Sequence, residues 1–349
     1  MTGSLSIALD AMGGDRAPEM VIKGANIARQ RFPHVRFIFF GDEQRIKPLL
    51  DRYGALGKVS RVHHTDKVVA GDDKPSVALR AGRGSSMRLA IDAVQAGEAA
   101  GIVSAGNTGA LMAMSKFVLK TLPGIDRPAI ASFFPTLRGE SVMLDLGANL
   151  SCDAENLVQF AVMGNVFART VLGILRPTVG LLNVGSEEVK GHEAVREAAA
   201  TLRETSLPGD FHGFVEGDDI ARGTVDVIVT DGFTGNVALK TLEGTAKLYA
   251  EFLKRSFKSS LVARVGYLLA RPALNALRVR TDPRRYNGAI FLGLNGVAVK
   301  SHGGTDALGF ANAIGVAVDM VTQKSIEKIR EDFTCFAAGN PSGPQVVGL

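Results

Sequence analysis

The chain has 349 residues, 46% of them hydrophobic, with 40 glycines and a formal net charge of +5. Two cysteines far apart, Cys152 and Cys335, exclude a disulfide framework; no basic stretch precedes an apolar core at the N-terminus, and no run nears the roughly 18 apolar residues of a membrane span. The expectation is an α/β enzyme of the reducing cytoplasm with an acidic partner, and although the length would allow two or three domains, one repeated pattern favours a single continuous sheet.

In chain order, a strand predicted at 5–10 runs into Ala11-Met12-Gly13-Gly14-Asp15, and Pro18 opens a helix over 18–31. A strand follows at 35–40. The stretch from Asp66 to Ser86, with Gly71, Gly82 and Gly84, is expected to be a mobile loop before a helix at 85–97. The strand at 101–104 leads through Ser104-Ala105-Gly106-Asn107-Thr108-Gly109-Ala110 into a helix at 108–121. Strands at 129–134 and 141–145 come next, the second ending in Asp145-Leu146-Gly147-Ala148-Asn149, and a helix at 154–172 follows. The strand at 179–184 enters Asn183-Val184-Gly185-Ser186-Glu187-Glu188-Val189-Lys190-Gly191 before a helix at 192–204. The strand at 226–230 enters Asp231-Gly232-Phe233-Thr234-Gly235-Asn236, where a helix at 236–253 starts. A strand at 290–299 and a helix at 311–330 complete the pattern, with a disordered tail from 337.

Alternating strand and helix implies mostly parallel order. Five strand ends carry Gly with Asp, Asn, Ser or Thr, and in an open parallel sheet such ends converge on one carboxyl edge, where ligands bind. The junction at Asp231–Asn236 is built for an anion, because helix-start N–H groups lack partners and Gly232 and Gly235 let backbone approach a ligand. Taken singly, each loop is equally an ordinary turn.

These loops resemble the PlsX family of phosphate acyltransferases across nearly the whole chain. The resemblance rests on Ala8 to Asp15, Ser104 to Ala110, Asp145 to Asn149, Leu182 to Glu188, Val215-Glu216-Gly217, Asp231 to Asn236, Asn295-Gly296 and Lys300-Ser301-His302-Gly303. Arg16, Asn287 and Gly304 depart from the family pattern, which weighs against Arg16 and Asn287 as site residues. The resemblance implies one α/β domain over 1–336, a Rossmann-like wound, mostly parallel sheet similar to isopropylmalate dehydrogenases and phosphotransacetylases. It implies transfer of a fatty acyl group from acyl-acyl carrier protein to inorganic phosphate, giving acyl phosphate for phosphatidic acid, and no cofactor is expected; the six histidines show no metal-ligand spacing, so no catalytic metal is expected. A homodimer is expected, with the membrane glycerol-3-phosphate acyltransferase as the consumer of acyl phosphate. A nicotinamide-dependent dehydrogenase of similar fold is the alternative, although no Gly-x-Gly-x-x-Gly follows a strand.

Phosphate attacks a thioester directly if it is bound, oriented and provided with an oxyanion donor. Lys190 is the candidate for pairing with phosphate, or else a surface lysine ahead of the helix at His192. Asn236 is the candidate oxyanion donor, or else a helix cap. His302 donates to phosphate or the departing thiolate, or is a satisfied structural histidine. Asp10, Gly13, Gly14, Asn107, Thr108, Asn149, Ser186, Glu187, Asp231 and Gly303 are the further substrate contacts. Cys152 lies close enough to Asp145 to raise an acyl-enzyme route, against the plainer reading of a small buried thiol.

Between Glu251 and Asp282 there is no acidic residue. Arg255, Arg264, Arg271 and Arg278 fall there, interleaved with Leu261, Val265 and Leu268 at helical spacing. A basic amphipathic hairpin over about 253–281, broken at Pro272, is expected. It would sit on an anionic membrane at the inner face of the cell membrane, grip the acidic carrier protein, or pack in a dimer. No recognised nucleic-acid motif accompanies the charge, so no nucleic acid is expected.

Overall fold

The computed structural model describes residues 5–205 and 207–339. Its first part comprises β1 (Ser6–Asp10), α1 (Glu19–Arg31), β2 (Arg36–Gly41), α2 (Glu43–Asp51), α3 (Gly54–Gly57), β3 (Ser60–His64), α4 (Pro75–Ala81), α5 (Ser86–Gln95), β4 (Gly101–Ser104), α6 (Thr108–Leu119), β5 (Ala129–Pro135) and β6 (Glu140–Leu144). There follow α7 (Ala154–Val171), β7 (Thr178–Leu182), α8 (Glu193–Glu204), β8 (Asp210–Val215), α9 (Gly217–Arg222), β9 (Val227–Val229), α10 (Gly232–Lys258), α11 (Leu261–Arg280), β10 (Ala289–Leu292), β11 (Val297–Lys300), α12 (Ala307–Thr322) and α13 (Ser325–Gly339). The tail expected from 337 falls mostly on residues 340–349, outside the described residues.

All strands join one 11-stranded sheet in the order β3-β2-β1-β4-β11-β10-β5-β6-β9-β7-β8. Central strands are continuous apolar runs because both faces are covered. Successive residues of β1 and β2 therefore enter different cores: Ile7, Leu9, Phe37 and Phe39 join one cluster, while Ala8, Ile38 and Phe40 join the other. The first core includes Phe310 of α12 and Phe160 of α7; the second includes Ile91 of α5 and Leu111 of α6.

The order of strands corrects the expectation of a single carboxyl edge. β3, β2, β1, β4 and β11 are mutually parallel, as are β6, β9, β7 and β8. Between the blocks, β10 runs antiparallel to both β11 and β5, and β5 antiparallel to β6. Three reversals leave the two blocks oppositely directed. Strand ends at Asp10, Ser104 and Lys300 thus belong to one edge, and those at Leu144, Leu182 and Val229 to the other. A twist of roughly 20° per strand turns β9 by about 100° relative to β4, so the two edges are not poles of a flat sheet.

Several elements differ from the sequence expectation. β3 is a half-exposed edge strand and β8 carries a register shift beside Gly213 (φ 106°), so neither presents a strong apolar run. The strand expected over 290–299 is a hairpin, turning at Gly293 (φ 90°), where Asn295 donates its amide to the Thr121 carbonyl at 2.7 Å. The helix expected over 311–330 is two helices, because Lys324 adopts a left-handed φ of 53° between them. The stretch from Asp66 to Ser86 contains α4, and it is tied down by Thr65 Oγ1 donating to Gly84 O and Asn107 Nδ2 donating to Gly71 O and Asp73 O.

The helical hairpin is present, but Pro272 does not break it. α10 runs 27 residues and α11 runs 20, and the turn lies at Ser259–Ser260, where Ser260 caps α11 by accepting from Ala263 N at 3.1 Å. Pro272 sits inside α11, which has no buried residue, so water is available to the carbonyl that lacks a donor. Among the described residues, no helix is long and apolar enough to cross a membrane.

Candidate active site

The first cluster forms at the ends of β1, β4 and β11. Asp10 is buried, and Ser104 Oγ and Ser86 Oγ donate to its carboxylate at 2.6 and 2.7 Å, with Met12 N at 3.3 Å. Burial raises its carboxyl above the ordinary range, and these donors oppose the shift. A Cβ on Gly13 would stand 2.7 Å from Gly106 N, and Gly14 needs its φ of 100° to pass Gly303 O. Asn107 caps α6, its Oδ1 accepting from Ala110 N at 2.9 Å. Asp10 and Asn107 therefore hold loops in shape with the very atoms expected to touch substrate. Thr108 is exposed at the mouth and Gly303 is half-buried.

Asn287, weighed against by its departure from the family pattern, organises the neighbouring loop. Its Nδ2 donates to Ser301 Oγ at 2.8 Å and Gly309 O at 2.7 Å, while Oδ1 accepts from His302 N at 2.9 Å. His302 Nδ1 accepts from Gly304 N at 3.2 Å, which assigns the ring proton to Nε2. Desolvation, then the charge of Lys300, lowers the His302 pKa, so the ring is a neutral Nε2–H donor at neutral pH. Arg16 is exposed and lines a separate concavity with Arg45 and Pro48. Lys300, missed as a site residue, lines a cavity with Gly13, Gly14 and Gly106, two residues before His302. The only signal was its place in the Lys300–Gly303 motif.

The second cluster forms at the ends of β6, β9 and β7, with β9 in the middle. Asp145 is fully buried and its carboxylate accepts from Ile130 N, Gly147 N, Ala148 N, Asn149 N and Asn149 Nδ2 at 2.7–3.2 Å. Burial raises its carboxyl and those N–H groups oppose the rise. Asn149 also donates to Pro128 O at 2.9 Å, and its carbonyl accepts from Gly232 N at 2.7 Å. Asn149 thus locks the β6 loop to the start of α10 and is a positioning residue.

Gly232 and Gly235 serve that same contact. Both are buried; a Cβ on Gly232 would lie 2.6 Å from Asn149 O, and one on Gly235 would collide with Asp145 O. Their close approach is to the β6 loop, not to a ligand. The helix starts at Gly232, four residues before the expected start, and Asp231 caps it, accepting from Thr234 N at 2.9 Å and Thr234 Oγ1 at 2.8 Å. Capping therefore falls to Asp231. Asn236 is exposed in the second turn with its Cβ facing Gly147, and among the described residues its carboxamide makes no hydrogen bond.

Lys190 is exposed on the β7 loop, ahead of His192, the N-cap residue of α8. Its backbone is fixed: Asn183 Nδ2 donates to Lys190 O at 3.1 Å, and Lys190 N donates to Glu187 O at 3.0 Å. Its stem passes Gly185, and among the described residues its ammonium has no ion pair. Ser186 and Glu187 are exposed on the same loop.

Among the described residues no hydrogen bond or ion pair joins the two clusters. α10 spans the gap, since Lys240, Glu243 and Lys247, on one face by spacing, all influence the protonation of His302.

A family described as "Fatty acid synthesis protein" matches residues 5–328. Over 332 residues the chain is 75% identical to the phosphate acyltransferase of Rhodospirillum centenum, covering 95% of this chain and 94% of that one. It is 64% identical over 333 residues to the phosphate acyltransferase of Paramagnetospirillum magneticum, covering 95% of each. The chain belongs to this family of phosphate acyltransferases and is an acyltransferase, as the PlsX resemblance implied. The phosphotransacetylase from Streptococcus pyogenes shares the fold, with a TM-score of 0.60 at 18% identity over 93% of this chain and 94% of that one.

Cys152 is half-buried, and desolvation with the charges of Asp145 and Asp231 pushes its thiol up to about 12. It stays protonated at neutral pH and is a poor nucleophile. Cys152→Ala is expected to keep acyl transfer within about threefold of the parent, the scatter of a neutral site change. Mass spectrometry during turnover checks the same point, and an acyl adduct on Cys152 would reverse it.

Proposed function

We propose that the chain transfers a fatty acyl group from acyl-acyl carrier protein to inorganic phosphate, and that the acyl phosphate feeds phosphatidic acid synthesis. A phosphate oxygen attacks the thioester carbonyl carbon, the C–O bond forms, and the tetrahedral oxyanion collapses with cleavage of the C–S bond. The thiolate leaves with the carrier and takes up a proton. Lys190 pairs with phosphate and aims the attacking oxygen, Asn236 donates its carboxamide N–H to the oxyanion, and His302 Nε2–H donates to phosphate or the departing sulfur. The observation that carries this reading is the free carboxamide of Asn236, released from capping by Asp231 and held against the Asp145 loop.

Thiol release from purified acyl-acyl carrier protein tests it. Release that depends on inorganic phosphate and yields acyl phosphate supports the reading. Release without phosphate, or none at all, sinks it.

The hairpin supports a peripheral place on the inner face of the cell membrane, where the glycerol-3-phosphate acyltransferase would consume the labile product. Leu261 and Leu268 are 77% and 63% exposed, too much apolar surface for a solvated helix pair. Arg264, Arg271 and Arg278 recur every seven residues alongside them, and Val265 and Arg255 extend the same surface. The same exposed face would serve a homodimer or the acidic carrier protein. Replacing Arg264, Arg271 and Arg278 by Gln is expected to weaken binding to anionic liposomes by on the order of 100-fold at low salt, with a flatter salt dependence. Leu261→Glu with Leu268→Glu is expected to release the protein from vesicles while soluble turnover persists. Aggregation of the leucine variant with unchanged vesicle binding by the arginine variant would assign the hairpin to packing.

A further inference from the structure

We propose that Lys300 is a binding residue for a phosphate-type anion in the cavity between the ends of β1, β4 and β11. The cavity measures about 550 Å³, and Lys300 is the one basic residue among its described lining. Gly13, Gly14, Gly71, Gly106, Gly109 and Gly303 are among its lining residues, so backbone is open to whatever enters. The inference rests on the proposed reaction only in that the reaction supplies two anions of this class: inorganic phosphate, and the phosphodiester of the carrier's thiol-bearing arm.

The position of Lys300 is set by the sheet. It pairs in parallel register with Ser104, whose hydroxyl donates to Asp10. One N–H of its ammonium donates to the Ser301 carbonyl. Among the described residues no carboxylate forms an ion pair with it. Asp10 already accepts from two hydroxyls, and Asp15, exposed at the rim, is held by its N–H to Gly303 O at 3.0 Å. A half-buried ammonium with no direct ion pair is incompletely compensated, and an entering anion offsets that cost. Desolvation lowers Lys300 to about 8, with Asp10 and Asp15 opposing the shift and Lys240 adding to it. α6 begins at the same rim with Asn107 bonded to Ala110 N, so the N–H groups of Thr108 and Gly109 are not consumed by that cap.

Protection of the wild-type amine from reductive methylation, read by mass spectrometry, tests the assignment without a variant. Inorganic phosphate is expected to slow modification of Lys300 by roughly tenfold or more, the size of a lost charge-assisted hydrogen bond, and to leave exposed Lys116 unchanged. In turnover, Lys300→Met is expected to raise the KM for phosphate by a similar factor, with the KM for acyl carrier unchanged and Lys300→Arg intermediate. If holo-carrier protein protects instead, and the carrier KM moves, the anion is the phosphodiester and the assignment of Lys300 stands. Protection by neither, with both KM values within about twofold, overturns it. Protection needs no turnover, so a protein that shields Lys300 yet transfers no acyl group would overturn the proposed reaction and keep this site.

Discussion

Lys190→Ala is expected to lower kcat for acyl transfer to phosphate by on the order of 100-fold or more, the usual loss when a positioned charge is removed from a transition state. The substitution should leave the fold alone. Lys190 is exposed, its carbonyl and N–H are held by Asn183 and Glu187, and neither bond involves the side chain. Thermal stability should therefore stay within the scatter of surface substitutions. In the proposed role the ammonium both attracts phosphate and aims it, so the KM for phosphate should rise as kcat falls, while the KM for acyl carrier stays put. Lys190→Arg keeps the charge but spreads it over a planar fork, so it should recover phosphate binding better than kcat. Steady-state kinetics with phosphate and acyl carrier varied separately checks this. An alanine variant with kcat within threefold of the parent removes Lys190 from the chemistry.

The loops of both clusters were legible because each lies where an apolar run gives way to Gly, Asp and Asn, a purely local signal. Their division between two edges was not. It depends on β10 slotting antiparallel between β11 and β5, with Ile290 beside Ala131, a pairing between residues far apart in sequence. Pattern alone makes β10 and β11 one strand, since Gly293 and Asn295-Gly296 interrupt the run only briefly. The same limit applies to glycine. Gly232 and Gly235 signal close approach, but whether to a ligand or to Asp145 and Asn149 is decided by tertiary packing. Asn287 and Lys300 act through partners brought in from other elements, so neither announces itself locally. Pro272 misled for a converse reason: proline costs a helix one hydrogen bond, and along α11, which has no buried residue, water can take the carbonyl left without a donor.

α10 also lies between the two opposed blocks. From Gly232, packed on the Asp145 loop, to Lys247, whose charge acts on His302, α10 covers about 22 Å, and its remaining turns belong to the hairpin.

Asn236→Ala is expected to lower kcat by on the order of 100-fold with little change in the KM for phosphate, because an oxyanion donor acts on charge that exists only in the transition state. The structure separates this effect from damage to the helix. Asp231 supplies the cap through Thr234, and Asn236 lies beyond it, exposed and without a described hydrogen bond. Alanine has the higher helix propensity, so the variant should be as stable as the parent or slightly more so. Asn236→Asp places a carboxylate where the proposed reaction develops negative charge and should fall further than alanine. Asp231→Ala supplies the contrast: it removes the cap, costing about 1 kcal/mol of stability, and should lower activity only as far as α10 shifts. Thermal unfolding and kcat measured on the three variants separate the roles. If Asn236→Ala turns over at the parent rate while Asp231→Ala does not, the carboxamide has no part in the reaction and the start of α10 matters only as a scaffold.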